Sequence, residues 1–213
     1  MGFVGRIFNN DSAFGRLMTR IAVLTVCNLM FVLCTVPVFT IGAGWSAMCH
    51  TFLKMSKIKD TVNPFREFPA AFKANFKRAT VSFLFFLFIF AFLALEWYWC
   101  GQFGGFFLTL RLGLLMIAVC LFVIALYIFP VMTVFPGKLT GLVKHCIYFA
   151  FKKPLYLLVI LSITILPFIL TYAFPDYYPL AAFIWFFFGF ALVARVTAVL
   201  LYREFEPFIE NEL

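Results

Sequence analysis

The amino-acid sequence predicts an all-α, polytopic transmembrane helix bundle that forms a single domain over residues 1–213. Of the 213 residues, 65% are hydrophobic and 12% are charged, whereas soluble domains contain about 45–50% apolar and about 25% charged residues. The charges also cluster in short stretches between long apolar runs. A water-soluble chain of this length could not bury so much apolar surface, so we predict a multi-pass protein of the cell membrane.

The first apolar run, residues 21–49, has no charged residue. As one helix it would measure about 43 Å, too long for one crossing of a hydrocarbon core of about 30 Å and too short for two comfortable ones. Pro37, followed by Gly42 and Gly44, predicts a break. We therefore expect a short hairpin of two helices, 21–36 and 41–55, and the alternative is one long kinked span.

Four later runs approach the roughly 20 apolar residues that a membrane-spanning helix needs. They cover residues 79–99, 112–135, 155–174 and 179–201. Together with the hairpin they give six spans, and five spans if the first run crosses once.

The placement of basic residues predicts the orientation of these spans. Lysine and arginine are frequent in the lead before Ile21, in the loop 56–78 and in residues 137–153, but absent from residues 100–109 and 175–179. Because basic residues concentrate in cytoplasmic loops, we expect both termini to be cytoplasmic. The net charge of +8 is then explained by anionic headgroups on the cytoplasmic side of the lipid bilayer, and no nucleic acid is expected as a partner.

The loop 56–78 carries a candidate interfacial docking surface. Asn63 followed by Pro64 is typical of a helix start, although Pro69 predicts a break and a second start there. Aromatic rings recur at spacings of three, four and four, with cations opposite them: Phe65, Phe68, Phe72 and Phe76, with Lys73 and Lys77. This pattern indicates either a helix that anchors the loop on the membrane surface or a docking surface for a partner.

Three polar residues within the spans are candidate functional residues, namely Asn28, Glu96 and Arg195. Ionisable groups in lipid are costly and often functional. Each also has a structural interpretation. Asn28 could tie helices together, Arg195 could extend its side chain to the cytoplasmic face, and Glu96 could stay hydrated near the outer surface.

The sequence lacks the motifs of common catalytic and metal sites. No phosphate-binding loop of the G-x-x-x-x-G-K-[ST] type, no H-E-x-x-H and no G-x-S-x-G is present, and the six cysteines and two histidines lack metal-ligand spacing. Most of the cysteines lie within apolar runs, where a free cysteine packs as a small hydrophobic residue. We expect no enzyme activity, no metal and no cofactor.

Several segments resemble the YesL-like family of small bacterial integral membrane proteins. The resembling segments are Gly5-Arg6-Ile7-Phe8, Asn28-Leu29, Pro37 to Ala43, Asn75-Phe76-Lys77-Arg78-Ala79-Thr80 and Tyr127-Ile128-Phe129-Pro130. The family is found mainly in Gram-positive bacteria, and its function is mostly unknown. Its genes tend to lie beside carbohydrate import systems, so the resemblance implies a place in oligosaccharide uptake.

Three functions remain compatible with the sequence. The preferred one is a non-catalytic accessory subunit associated with the permease subunits of an ABC-type oligosaccharide importer. The alternatives are an independent transporter of sugars or small solutes, whose path would use Asn28, Glu96 and Arg195, and a regulatory membrane protein of the envelope. The scarcity of polar residues in the spans favours the first, because sugar recognition requires many hydrogen-bonding groups.

The predicted orientation is testable with a reporter that is active only outside the cell. Fused after Leu213 it should be silent, and inserted after Gly104 it should be active, because the basic loops hold their ends of the spans in the cytoplasm. An N-terminal fusion should also be silent. An external N-terminus with the other two results unchanged would mean that the first run crosses once.

Overall fold

The computed structural model describes residues 13–103, 105–135, 137 and 139–209, which form helices and no strand. The helices are α1 (Ala13–Thr35), α2 (Ile41–Ile58), α3 (Pro64–Cys100), α4 (Phe106–Val134), α5 (Leu139–Lys152), α6 (Pro154–Ala173), α7 (Tyr178–Ile184) and α8 (Phe190–Ile209). Short 3₁₀ turns, Val38–Thr40 and Pro175–Tyr177, precede α2 and α7, and a π-helical turn, Trp185–Gly189, joins α7 to α8. The predicted all-α class is confirmed.

Five helical segments are long and apolar enough to cross a membrane. They are Phe14–Thr35, Pro64–Cys100, Thr109–Val134, Pro154–Ala173 and Pro175–Phe208. A multi-pass helical membrane protein is therefore supported. Helix α2 is not among the five, so the six-span count and the cytoplasmic placement of both termini stay predictions.

The expected break near Pro37 is present. Helix α1 ends at Thr35, and the hydroxyl of Thr40 donates to the carbonyls of Cys34 and Pro37 in the turn that follows. Helix α2 then returns beside α1, since Gly44 lies close to the ring of Phe31 near the turn. At the other end of the pair, Arg20 of α1 and Ser56 of α2 line one cleft. The two helices form an antiparallel hairpin.

Helix α2 is the centre of the bundle, because α1, α3, α4 and α8 all pack against it. Small residues at its start, such as Ala43 and Ala47, are fully buried. At Gly42 the neighbouring backbone comes so near that an added Cβ would lie 2.7 Å from the carbonyl oxygen of Ala79 and 2.5 Å from Cβ of Phe83. Small residues allow this approach of helix backbones, from which membrane helices gain van der Waals contact.

Helix α3 is one continuous helix of 37 residues. Its start is as the sequence predicts, because the side-chain oxygen of Asn63 accepts a hydrogen bond from the backbone N–H of Phe65 at 3.0 Å. The break expected at Pro69 is wrong. A proline inside a helix removes one backbone hydrogen bond, and burial of the neighbouring Phe68 and Ala71 offsets that loss. The helix expected to start at Pro69 does run into the predicted span 79–99, and residues 64–68 extend it at its beginning.

Helix α2 lies against the first half of α3. At one end of the contact, Nζ of Lys54 lies 2.7 Å from a carboxylate oxygen of Glu67, and at the other end Gly42 meets Ala79. The buried side chains of α3 recur every three or four residues and form one stripe: Pro64, Phe68, Ala71, Asn75, Ala79, Ser82 and Phe86. Beyond Phe86, most side chains of α3 are exposed in the isolated chain. The charged half of α3 thus packs on α2, and the apolar half extends past it.

The close contact at Gly42 predicts a large effect of a single methyl group. Gly42→Ala should lower the free energy of unfolding of the detergent-solubilised protein by about 1–3 kcal/mol, because overpacking forces the backbones apart. Gly113→Ala is the matched control, since nothing lies within 4 Å of the Cβ position at Gly113 in α4. Thermal unfolding followed by circular dichroism measures both. Equal shifts in the two variants would contradict the packing that we describe.

Candidate functional site

Asn28 is fully buried and binds the backbone of the π-helical turn. Its side-chain nitrogen donates to the carbonyl oxygens of Trp185 and Phe186 at 3.0 and 2.7 Å. Its side-chain oxygen accepts from the backbone N–H of Ala191 at 2.8 Å. A π-helical turn interrupts the regular hydrogen-bond pattern of an α-helix. The amide of Asn28 forms hydrogen bonds with backbone groups at the place where that pattern changes.

The π-helical turn is packed as tightly as it is hydrogen-bonded. The indole N–H of Trp185 donates to the hydroxyl of Thr171 on α6 at 3.0 Å, and the ring stacks on Phe168 at 4.5 Å between centroids. A Cβ at Gly189 would lie 2.5 Å from that same ring. The turn therefore joins α1, α6 and α8, and the role of Asn28 in tying helices together is the one that the geometry supports.

Arg195 is half-buried and ties α8 to α2. Its Nη1 atom donates to the carbonyl oxygen of Phe52 at 2.9 Å and to the hydroxyl of Ser56 at 2.8 Å. The Ser56 hydroxyl in turn donates to Phe52 O at 2.9 Å. The guanidinium is held by these contacts, which differs from a side chain that only extends to the membrane surface.

A polar cleft of about 400 Å³ surrounds Arg195 where the ends of α1, α2 and α8 meet. The described charged residues that line it are four cations and two carboxylates: Arg20, Lys59, Arg195 and Arg203, with Asp60 and Glu206. The positive charges of Arg20 and Arg195 are near enough to repel each other. Positive charge therefore predominates among the described residues of this cleft.

Glu96, the third predicted polar residue, lies on α3. It is half-buried near the end of α3, four residues before Cys100. The next cation along the chain, Arg111, stacks over the ring of Trp97 at 4.3 Å. Asn28 and Arg195 both bind residues of the α1–α2–α8 group, and the contacts found among the described residues do not join Glu96 to either of them.

The aromatic stripe of the loop 56–78 is divided between the interior and the surface. Phe68 is 2% exposed and belongs to the core, so its expected place on a docking surface is wrong. Phe65 and Phe76 are exposed, Phe72 is half-buried, and the buried stripe of α3 is displaced by about one residue from the ring pattern. Lys73 and Lys77 are exposed, on the opposite side as expected.

Arg78 and Glu204 are polar residues that the sequence patterns did not identify as candidates. Arg78 donates through Nη2 to the carbonyl oxygen of Met132 and to the side-chain oxygen of Asn75, at 3.3 and 3.0 Å, which satisfies a carbonyl at the end of α4. Glu204 of α8 is fully buried, its carboxylate has no hydrogen-bond partner, and it interacts electrostatically with the buried Tyr127. The helical spacing of apolar residues could have indicated the burial of Glu204, since Leu201 and Phe205 lie on the same buried face of α8.

The described residues contain no group of three or more histidine, cysteine, aspartate and glutamate side chains placed to hold a metal ion. The six cysteines are free thiols, and four of them are buried.

Replacing Asn28 tests its role at the π-helical turn. Asn28→Leu keeps a similar side-chain volume but leaves two buried carbonyls and one N–H without their partner. The free energy of unfolding in detergent should therefore fall by at least about 2 kcal/mol. Thr25→Val is the control, because the Thr25 hydroxyl bonds only within its own helix, to Ile21 O. A loss no larger than that of the control would contradict the bridging role.

The comparisons with known proteins agree in part with the resemblance described above. The family described as "Protein of unknown function, DUF624", which is the YesL-like group, matches residues 21–97. This region includes Asn28, the break at Pro37 and the pair Asn75 and Arg78. No curated protein matches the chain. No solved structure matches it either. The chain is thus similar to DUF624 proteins over α1, α2 and most of α3.

Proposed function

We propose that the protein is a non-catalytic accessory subunit that packs against the permease subunits of an ABC-type oligosaccharide importer. The observation that carries the proposal is the sparse packing of the outer helices. Within the apolar windows of α3 and α4, 17% of the residues are buried, and within that of α6 only 6%. These helices have most of their surface available for lipid or for another membrane protein.

The exposed surfaces of α3, α4 and α6 are broad and rich in large side chains. Helix α6 packs mainly on α8 and α5, and α4 mainly on α2, α3 and α5. The exposed side chains of α3 that form the outer face include Val81, Leu84, Phe85, Leu87, Phe88, Phe92 and Leu95. Since lipid is as apolar as these residues, association must come from close van der Waals fit over a wide area.

The polar groups within the spans favour an accessory role over independent transport. A sugar path needs hydrogen-bonding groups that are free to bind the substrate. The amide of Asn28 is fully engaged with the π-helical turn, and one nitrogen of Arg195 is engaged with α2. Glu96 is half-buried near the end of α3. These residues support helix packing better than they support a sugar pathway.

The link to an oligosaccharide importer comes from the YesL-like resemblance alone. Genes of that family tend to lie beside carbohydrate import systems, and the family match over residues 21–97 makes the same context relevant here. The residues of the chain supply the membrane surface, and the resemblance supplies the identity of the partner.

Copurification from native membranes tests the proposal. In a mild detergent, the tagged protein should recover the importer's permease subunits. Phe88→Ala should reduce recovery several-fold, because Phe88 is 73% exposed on α3 and large aromatic residues dominate binding energy. Phe151→Ala is the control, since Phe151 is similarly exposed, at 82%, but lies on α5. Recovery without permease subunits would contradict the proposal.

Liposomes containing only the purified protein separate the accessory role from independent transport. We expect neither uptake of labelled oligosaccharide nor nucleotide binding, because the sequence contains no G-x-x-x-x-G-K-[ST] loop and the amide of Asn28 is already bound to the π-helical turn. Uptake by the protein alone would replace the proposal with an independent transporter.

A further inference from the structure

We propose that the cleft formed by Arg20, Lys59, Arg195 and Arg203 is a binding site for a phosphate group, carried by an anionic lipid headgroup or by a soluble phosphate compound. This site is independent of the importer proposal, because it lies at the ends of α1, α2 and α8 and uses none of the outer apolar surfaces. Its volume of about 400 Å³ is within the usual range of small-molecule sites, about 300–1,000 Å³.

The charge of the cleft is unbalanced. Among the described residues that line it, four cations and two carboxylates give a net charge of +2. Within the described residues, the ion pair found is Lys54 with Glu67, outside the cleft. One of the two carboxylates is already engaged, since Asp60 accepts a hydrogen bond from the backbone N–H of Thr61 at 2.6 Å. An anion would relieve the repulsion between Arg20 and Arg195.

Arg195 is positioned before any ligand arrives. Its Nη1 atom is held by Phe52 O and the Ser56 hydroxyl, which fixes the plane of the guanidinium. Arginine has five N–H donors, so three remain for an anion on Nε and Nη2. A planar group with parallel donors matches two oxygens of a phosphate, and holding it in place lowers the entropy lost on binding.

Lys59 supplies a second observation that is consistent with a binding role for the cations of this cleft. It follows the last turn of α2 in the left-handed conformation, with φ of 59°. Glycine is usual at such a position, and a residue with a Cβ costs about 1 kcal/mol there. The chain retains a lysine where glycine would stabilise the helix end, and its side chain lines the cleft.

The location suits a phosphate at a membrane surface. The cleft is open and lies where α2 ends, beside the connection from Lys59 to Asn63 that leads into the basic start of α3. Basic residues near the cytoplasmic surface attract anionic lipids. Soluble phosphate compounds would reach the same opening, so the experiment has to distinguish the two sources.

The test uses the full chain and two kinds of probe. In the lipid arm, the detergent-purified protein is titrated with short-chain phosphatidylglycerol, with phosphatidylcholine as the zwitterionic comparison. In the soluble arm, inorganic phosphate and glycerol phosphate are used. Binding is measured by calorimetry at constant ionic strength. We expect saturable binding of an anionic probe in at least one arm, and the arm that binds identifies the source.

Lys59→Gly is the decisive variant. It removes one cation and also removes the strain of the left-handed residue, so its thermal stability should be equal to or higher than that of the parent protein. We expect its Kd for the bound probe to rise about tenfold, the effect of losing one charge-assisted hydrogen bond. Arg203→Gln should weaken binding by a similar factor. Arg203 is exposed, and no hydrogen bond or ion pair is found between its side chain and another described residue.

Lys73→Gln is the matched control, because Lys73 is an exposed cation on α3 outside the cleft. It should leave Kd unchanged within about twofold, as expected of an exposed surface residue. The proposal would be overturned if neither arm binds, if phosphatidylcholine binds as tightly as phosphatidylglycerol, or if Lys73→Gln weakens binding as much as Lys59→Gly. The last result would indicate attraction by net charge alone.

Discussion

The close approach of α2 to its neighbours is the constraint on which the rest of the bundle depends. Gly42 brings the backbone of α2 against that of Ala79, and this contact fixes how far α2 and α3 overlap. The ion pair of Lys54 with Glu67 and the contact of Arg195 with Phe52 lie further along the same helix. A helix enclosed by four others meets protein instead of lipid, so it tolerates the serine, threonine and lysine residues that keep α2 outside the set of spanning helices.

The π-helical turn is the second fixed point, and it explains why a polar residue is kept in an apolar helix. Without water, each unpaired backbone group in a membrane costs several kcal/mol. The amide of Asn28 partners three such groups, and Trp185 links the same turn to α6 through Thr171. The polar groups of Asn28 and Trp185 therefore join helices within the chain.

Local signals predicted the parts of the fold that local chemistry decides. The break at Pro37 and the cap at Asn63 follow from the backbone limits of proline and the acceptor of asparagine. The break expected at Pro69 is wrong because tertiary burial outweighs one lost hydrogen bond. The surface position expected for Phe68 is wrong because the spacing of the rings does not indicate which side of the helix faces the core. Partners distant in sequence, such as Asn28 with Ala191, are set by packing. No spacing rule within one helix could have revealed them.

Polar groups are distributed unevenly through this molecule, and the distribution bears on function. The side chain of Asn28 is hydrogen-bonded to the backbone of the π-helical turn. At the end of α4, Arg78 donates a hydrogen bond to the carbonyl oxygen of Met132. At the far ends of α1, α2 and α8, the cations outnumber the acids, and Lys59 occupies a strained conformation. Asn28 and Arg78 thus have hydrogen bonds within the chain, whereas the described residues that line the cleft carry an excess of positive charge, and like charges held close together repel one another. An anion in the cleft would lower that repulsion, just as lipid or a neighbouring membrane protein would cover the exposed apolar faces of α3 and α6.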